Sequence, residues 1–148
     1  MNIDILMREA MRAQQTTVLG VLRTLKSEFT KVLTSKGRNQ FSPALTEDEE
    51  FAIIRKQIAQ REESMKMFHQ AGRTELANKE EQEKAILEAF LPPSLSDYDI
   101  GTMVERAITN SGAVTKRDTG KAIALAKEYA AGRVDLKVLS SLIASKLV

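Results

Sequence analysis

TEDEEFAIIRKQIAQREESMKMFHQAGRTELANKEEQEKAILEAFLPP, residues 46–93, decides the fold. It holds two long charged helical patterns, joined at Ala71-Gly72-Arg73 and stopped by Leu91-Pro92-Pro93. Thr46 and Glu49 match a capping box, in which the hydroxyl accepts from the Glu49 amide and the glutamate reaches back. The acidic first turn suits the positive end of the helix dipole. This spacing predicts a helix to about Gln70, ended by Gly72 in the left-handed conformation that glycine adopts without strain. Thr74 is expected to cap a second helix carrying Leu76, Ile86, Leu87, Phe90 and Leu91. In the first helix Phe51, Ile54, Ile58, Met65 and Phe68 recur at alternating three- and four-residue spacings, and Arg61 stands where another apolar residue belongs. Arg61 lies eleven residues before Gly72 and Glu83 eleven after it, so antiparallel helices of equal rise bring the two level, with Glu80 one turn away. A structural ion pair of Arg61 with Glu83 or Glu80 is therefore expected, one that specifies register more than it adds strength.

Before the hairpin, Ile3, Leu6, Ala10 and Ala13 form one helical stripe, and Val18, Leu22, Leu25, Phe29 and Val32 a second. Gln14-Gln15-Thr16-Thr17 lies between them, and a threonine is expected to cap the second helix, which ends near Leu33. Thr34 to Leu45, with Gly37, Ser42 and Pro43, reads as a loop. After the hairpin, Ser96 is placed to cap a helix carrying Ile100, Met103, Val104, Ala107 and Ile108, and Asn110-Ser111-Gly112 ends it. A further helix from about Arg117 to Ala131 is expected to bury Ala122, Leu125, Ala126 and Tyr129, with Gly132 closing it. Asp135 then caps a last helix with Leu136, Leu139, Leu142, Ile143 and Leu147 inward. The fold class is all-α: an N-terminal helical domain, 1–93, containing the hairpin 46–91, and a small three-helix tail domain, 94–148.

Composition agrees with that class. Trp and Cys are absent and strong helix formers dominate the periodic segments, so neither disulfides nor thiolate metal sites are expected. Asp4, Arg8, Glu9 and Arg12 interrupt any leader-like run near the start, and no apolar stretch reaches membrane length, so a cytoplasmic protein is expected. The net charge of +2 is unevenly spread. Residues 1–45 carry seven basic and three acidic side chains, residues 46–96 seven and eleven, and residues 97–148 eight and six. Arg12, Arg23, Lys26 and Lys31 are candidates for a basic surface on the first flank. A polyanion is expected on the basic flanks rather than on the acidic middle.

The chemistry of catalysis is mostly missing. Nucleophilic catalysis needs an activated nucleophile and a positioned base, but there is no cysteine and His69 is the single histidine. No paired metal-ligand motif occurs, and no metal or other cofactor is expected. Thr119-Gly120-Lys121 ends like a phosphate loop, but Thr115 stands where the first glycine is needed and Ala122 where Ser or Thr is. More suggestive is the basic set Lys116, Arg117, Lys121, Lys127, Arg133 and Lys137, clustered around two helix boundaries and off the apolar stripe. These six are the candidate RNA-binding residues, with Lys116, Arg117, Lys121 and Arg133 as the leading phosphate contacts. Aromatics are scarce, Tyr98 and Tyr129 being the tyrosines, so contact with backbone and shape rather than with unstacked bases is expected.

The run Arg55 to Ser96, the stretch VLRTLKSE from Val21 to Glu28, and the tail from Gly112 to Val148 closely resemble the YqeY proteins of the GatB/YqeY family. The shared combination is Arg61, Ser64, Ala71-Gly72-Arg73, Leu76-Ala77, Lys79-Glu80, Glu83 and the Leu-Pro stop. The resemblance implies an all-helical protein whose C-terminal part is similar to the tail of the GatB subunit of the tRNA-dependent amidotransferase. That enzyme amidates Glu or Asp on mischarged tRNA with glutamine and ATP, and its tail helps hold the tRNA. It also implies, for the family, carbon-nitrogen ligase activity with glutamine as amido-N-donor. No counterpart of GatB's kinase cradle or of the partner amidase's serine-lysine centre is present, so such activity is expected only together with other subunits. Where the family usually has a Lys-Asp-Lys-like segment, this chain has Gln14-Gln15-Thr16-Thr17, whereas two Gly-basic turns, Gly120-Lys121 and Gly132-Arg133, are kept. The expectation is an accessory module without its own catalytic centre, partnered by tRNA or a tRNA-bearing complex, with the charged hairpin as an alternative protein-interaction surface and neither DNA nor membrane as partner.

Overall fold

A computed structural model describes residues 1–35, 37–38 and 44–148. The chain is all-α: seven α-helices, one short 3-10 turn and no strand are found among the described residues. It divides into two compact units, Met1–Leu91 and Pro92–Val148.

Unit 1 begins with α1 (Ile3–Arg12), whose first turn is capped by the Asn2 side chain accepting from the Ile5 amide at 3.2 Å. The bend to α2 (Thr16–Leu33) is made by Gln14 in the left-handed region, φ +56°. Neither threonine caps α2; Gln15 holds the cap position without a side-chain bond, because the turn at Gln14 draws Thr16 into the first helical turn. Of the expected loop, Gly37 is described, and Ser42 and Pro43 lie outside the described residues.

The hairpin consists of α3 (Glu47–Gln70) and α4 (Thr74–Glu88). The Thr46 hydroxyl accepts from the Glu49 amide at 3.2 Å, and the Glu49 carboxylate accepts from the Thr46 amide at 3.1 Å, completing the capping box. At the other end Gly72, φ +70°, lets its amide reach the His69 carbonyl and that of Arg73 reach the Phe68 carbonyl at 2.8 Å. That double turn satisfies the last carbonyls of α3. The connection is only Ala71-Gly72-Arg73, so Arg73 and not Thr74 takes the cap position of α4, with no side-chain bond. Leu76 is exposed, and Ala77 takes the inward place on that turn.

The core of unit 1 joins Val21, Leu25 and Phe29 of α2 to Ile54 of α3 and Leu87 of α4. Phe51 and Ile58 pack against it half-buried, and Gln57 is buried although polar.

Unit 2 holds α5 (Asp97–Ser111), the 3-10 turn Lys116–Asp118, α6 (Thr119–Ala130) and α7 (Leu136–Lys146). Ser96 accepts from the Asp99 amide at 3.1 Å and so caps α5, and Gly112, φ +72°, ends it. The helix expected from about Arg117 to Ala131 starts as 3-10 at Lys116 and becomes α-helical at Thr119. It closes through Ala131, φ +48°, followed by Gly132. Its fully buried face is Ala122, Ala126 and Ala130; Leu125 and Tyr129, expected inside, are half-buried at its edges. Small alanines let α6 sit between its neighbours, and Val104, Ala107, Leu139 and Ile143 close around it. Leu136, at the first turn of α7, is exposed rather than inward, because Leu139, Ile143 and Leu147 already supply the buried stripe.

Candidate nucleic-acid interface

The two sets of residues singled out by sequence are placed in different electrostatic settings. Arg61, on α3, faces α4: its Nε lies 3.0 Å from Glu83 Oε2 and 3.5 Å from Glu80 Oε2. All three side chains are less than a fifth exposed. The Nε–H is not aimed well enough at either oxygen to form a hydrogen bond, so the contact is Coulombic. Farther along, Lys84 reaches across to Glu62 at 3.2 Å and along its own helix to Glu88 at 3.7 Å. Of the basic residues proposed for the first flank, Lys26 is paired with Asp4 at 2.7 Å and Lys31 with Glu28 at 2.9 Å. The Lys26 ammonium holds the Asp4 carboxyl below its ordinary value.

In unit 2, Lys116 and Arg117 lie exposed on the 3-10 turn and Lys121 exposed on the first turn of α6. No carboxylate lies within ion-pairing distance of these three among the described residues. Asp118, which sits among them, is turned inward: its Oδ2 accepts from the Val114 amide at 3.0 Å and the Thr115 amide at 3.2 Å. Those backbone donors, first Val114 and then Thr115, hold its pKa below the ordinary value. The carboxylate is thus used in building the turn, and the three cations point outward as a group. Such a group suits phosphate oxygens.

The remaining three candidates are not part of that group. Lys127 is exposed two turns on along α6. Arg133 and Lys137 lie beyond the far end of α6, roughly 18 Å from its start at 1.5 Å per residue. Lys137 is exposed at the beginning of α7. Arg133 is half-buried; its Nε donates to the Ala130 carbonyl and its Nη2 to the Tyr129 carbonyl, both at 2.9 Å. It therefore caps the C-terminus of α6, an observation that assigns its guanidinium a structural duty beside any contact with a ligand.

One basic residue was missed. Arg106, exposed on α5, stacks over the Tyr129 ring with its guanidinium carbon 5.3 Å from the centroid. Asn110 donates to the Tyr129 hydroxyl at 3.0 Å. Arg106 and Tyr129 line an open cleft of about 470 Å³ together with Asp99, Thr102 and Arg133. The spacing of Asp99, Thr102, Arg106 along α5 was the available signal, since these residues share one helix face.

Among the described residues no group of three or more His, Cys, Asp or Glu side chains is placed to hold a metal ion. No described helix is long and apolar enough to cross a membrane.

An all-helical chain with a register-paired hairpin followed by a small three-helix unit defines the class. A family model described as Yqey-like protein matches residues 2–147, and the chain belongs to that family. A search of the curated proteins finds no match.

Proposed function

We propose that this chain is an accessory module that binds tRNA, or a complex carrying tRNA, through unit 2, and has no catalytic centre of its own. The observation that carries the reading is the outward group Lys116, Arg117 and Lys121, whose neighbouring carboxylate, Asp118, is hydrogen-bonded to backbone amides and is felt only by Lys121, through space. Family membership supports it through the resemblance of the tail to that of GatB. Binding of this kind exchanges condensed counterions for lysine and arginine contacts, so it weakens linearly on a logarithmic salt scale.

The test is a titration of the full chain with tRNA over a range of salt concentrations. Micromolar binding that falls steeply with salt supports the reading, and absence of any salt-dependent complex sinks it. A pull-down from extract with and without ribonuclease separates it from protein docking on the hairpin: partners lost on ribonuclease treatment belong to RNA. Glutamine- and ATP-dependent amidation by the isolated chain would overturn the non-catalytic part.

A further inference from the structure

The cleft on unit 2 combines features that the proposed phosphate contacts do not use. Tyr129 is packed against the core of the unit and its ring already carries Arg106, so an exposed guanidinium is presented to solvent there. Guanidinium planes accept nucleobases by stacking, as aromatic rings do. Facing the same space is Asp99, held in place by the Ser96 hydroxyl, which donates to Oδ2 at 2.8 Å and leaves Oδ1 and the second lone pair of Oδ2 able to accept. Arg133 lines it too, with Nε and Nη2 fixed on backbone carbonyls and Nη1 remaining as a donor. The volume of about 470 Å³ is that of a small-ligand cleft and admits a purine.

From this set we infer that the cleft is a base-binding site selective for guanine, extending the RNA reading on which it rests from phosphate contact to base readout. A carboxylate accepts two parallel N–H groups, and guanine is the RNA base whose pairing edge offers two adjacent donors, N1–H and the N2 amino group. Adenine and cytosine each put an acceptor beside their amino group, against which Asp99 is repelled; uracil offers one donor. The guanine O6 next to N1 then meets the remaining donor of Arg133, while the ring stacks on Arg106. Scarcity of free aromatics does not limit the site, because the stacking plane is an arginine. The same chemistry serves a guanine unstacked from an RNA loop or a free guanine nucleotide.

The experiment compares binding of the full chain to a single-stranded oligouridylate and to the same strand with one central guanine, with Asp99→Asn and Arg106→Ala alongside. Both side chains are exposed, and unchanged thermal melts show that the variants fold. Wild type is expected to prefer the guanine strand by about tenfold, the discrimination of a good bidentate contact. Asp99→Asn should bring the ratio close to one without altering the salt dependence, and Arg106→Ala should reduce it as well. Guanosine monophosphate binding as tightly as the strand also supports the site and assigns it to the free nucleotide. Equal, salt-dependent binding of both strands by wild type overturns the inference and leaves the RNA reading standing. If neither strand binds, the tRNA titration decides the RNA reading, and titration with guanosine decides the cleft alone. Backbone amide shifts confined to residues 95–106 and 129–133, and absent with uridine, uphold it, and their absence overturns it.

Discussion

The two units differ in where they leave positive charge open, although unit 2 also has a long-range pair, Lys146 with Glu105 at 3.3 Å. In unit 1, long-range carboxylate partners hold the cations: Arg61 with Glu83, Lys84 with Glu62, Lys26 with Asp4, and Arg38 with Glu49. In unit 2, Asp118 and Asp135 accept from backbone amides at helix starts, which leaves Lys116, Arg117 and Lys121 facing solvent. The first arrangement fixes which residues of two helices lie level. The second keeps a concentrated positive group available at the surface. The paired charges of the hairpin thus serve the scaffold, while unit 2 gathers three exposed cations on one turn, where those of unit 1 without an ion pair among the described residues, such as Arg12 and Arg23, stand apart.

The comparison ends at the cores, where both units depend on burial. Ile54 of unit 1 and Leu139 of unit 2 are fully buried. Replacing either by alanine is expected to cost about 2–5 kcal/mol, the largest effect anticipated for any single change discussed, and denaturant unfolding measures it. A loss well under 1 kcal/mol for Leu139→Ala would mean that the alanine-rich core around α6 collapses onto the gap.

Next in size is the hairpin pair. Arg61→Ala leaves Glu80 and Glu83 together without their cation in a setting less than a fifth exposed. Because that setting is partly solvated, the expected cost is about 1–3 kcal/mol, below the range for a fully buried pair. A double variant, Arg61→Met with Glu83→Leu, is expected to recover most of it in the same denaturation experiment. Recovery supports a pair that specifies register, and failure to recover indicates that Arg61 contributes through packing of its stem.

How much of this was legible in the sequence depended on whether the signal was local. The capping box at Thr46, the Gly72 turn and the hairpin register follow from spacing alone, since helical rise is constant. Thr16, Thr17 and Thr74 misled because a threonine near a helix start caps it only if the incoming chain is extended there, and the tight turns at Gln14 and Gly72 drew each threonine into the helix. Leu136 misled because Leu139 and Ile143 of the helix, with Leu147 at its C-cap, already fill the buried stripe. At the candidate site, the group Lys116, Arg117 and Lys121 was visible as a run of charge, but the inward turn of Asp118 that leaves it unpaired was not. Arg106 escaped notice because its significance comes from Tyr129, a residue of another helix.

A smaller effect separates the capping of the units by pH. Thr46→Ala removes the hydroxyl that accepts from Glu49 and is expected to cost about 1 kcal/mol, as Ser96→Ala does in unit 2. Glu49 differs from any carboxylate of unit 2 by also binding Arg38, which with the Thr46 amide lowers its pKa from 4.5 to about 2. A carboxyl whose folded value is depressed stabilises the fold fully above its unfolded value, and that contribution is lost as the pH falls from about 4.5 toward 2. Acid titration of stability should therefore flatten over this interval in Glu49→Gln. An unchanged acid limb would show that the Arg38 contact does not persist in solution.

The smallest expected effect on stability is the most informative about the contrast between units. Lys116, Arg117 and Lys121 are exposed and make no close ion pair among the described residues, Lys121 acting on Asp118 only through space, so alanine at each should change unfolding free energy by no more than about 0.5 kcal/mol. If they contact phosphate, each replacement should instead lower the salt slope of tRNA binding by about one unit, and the triple variant by about three. The cations of unit 1 provide the control. Removing Lys26 or Lys31 breaks an ion pair and should leave the salt slope where it was. A slope that falls equally for Lys26→Ala and Lys121→Ala would erase the division of labour between the units, because RNA would then be sensing total charge. A slope that falls for Lys121→Ala alone locates the contact on the turn that Asp118 builds.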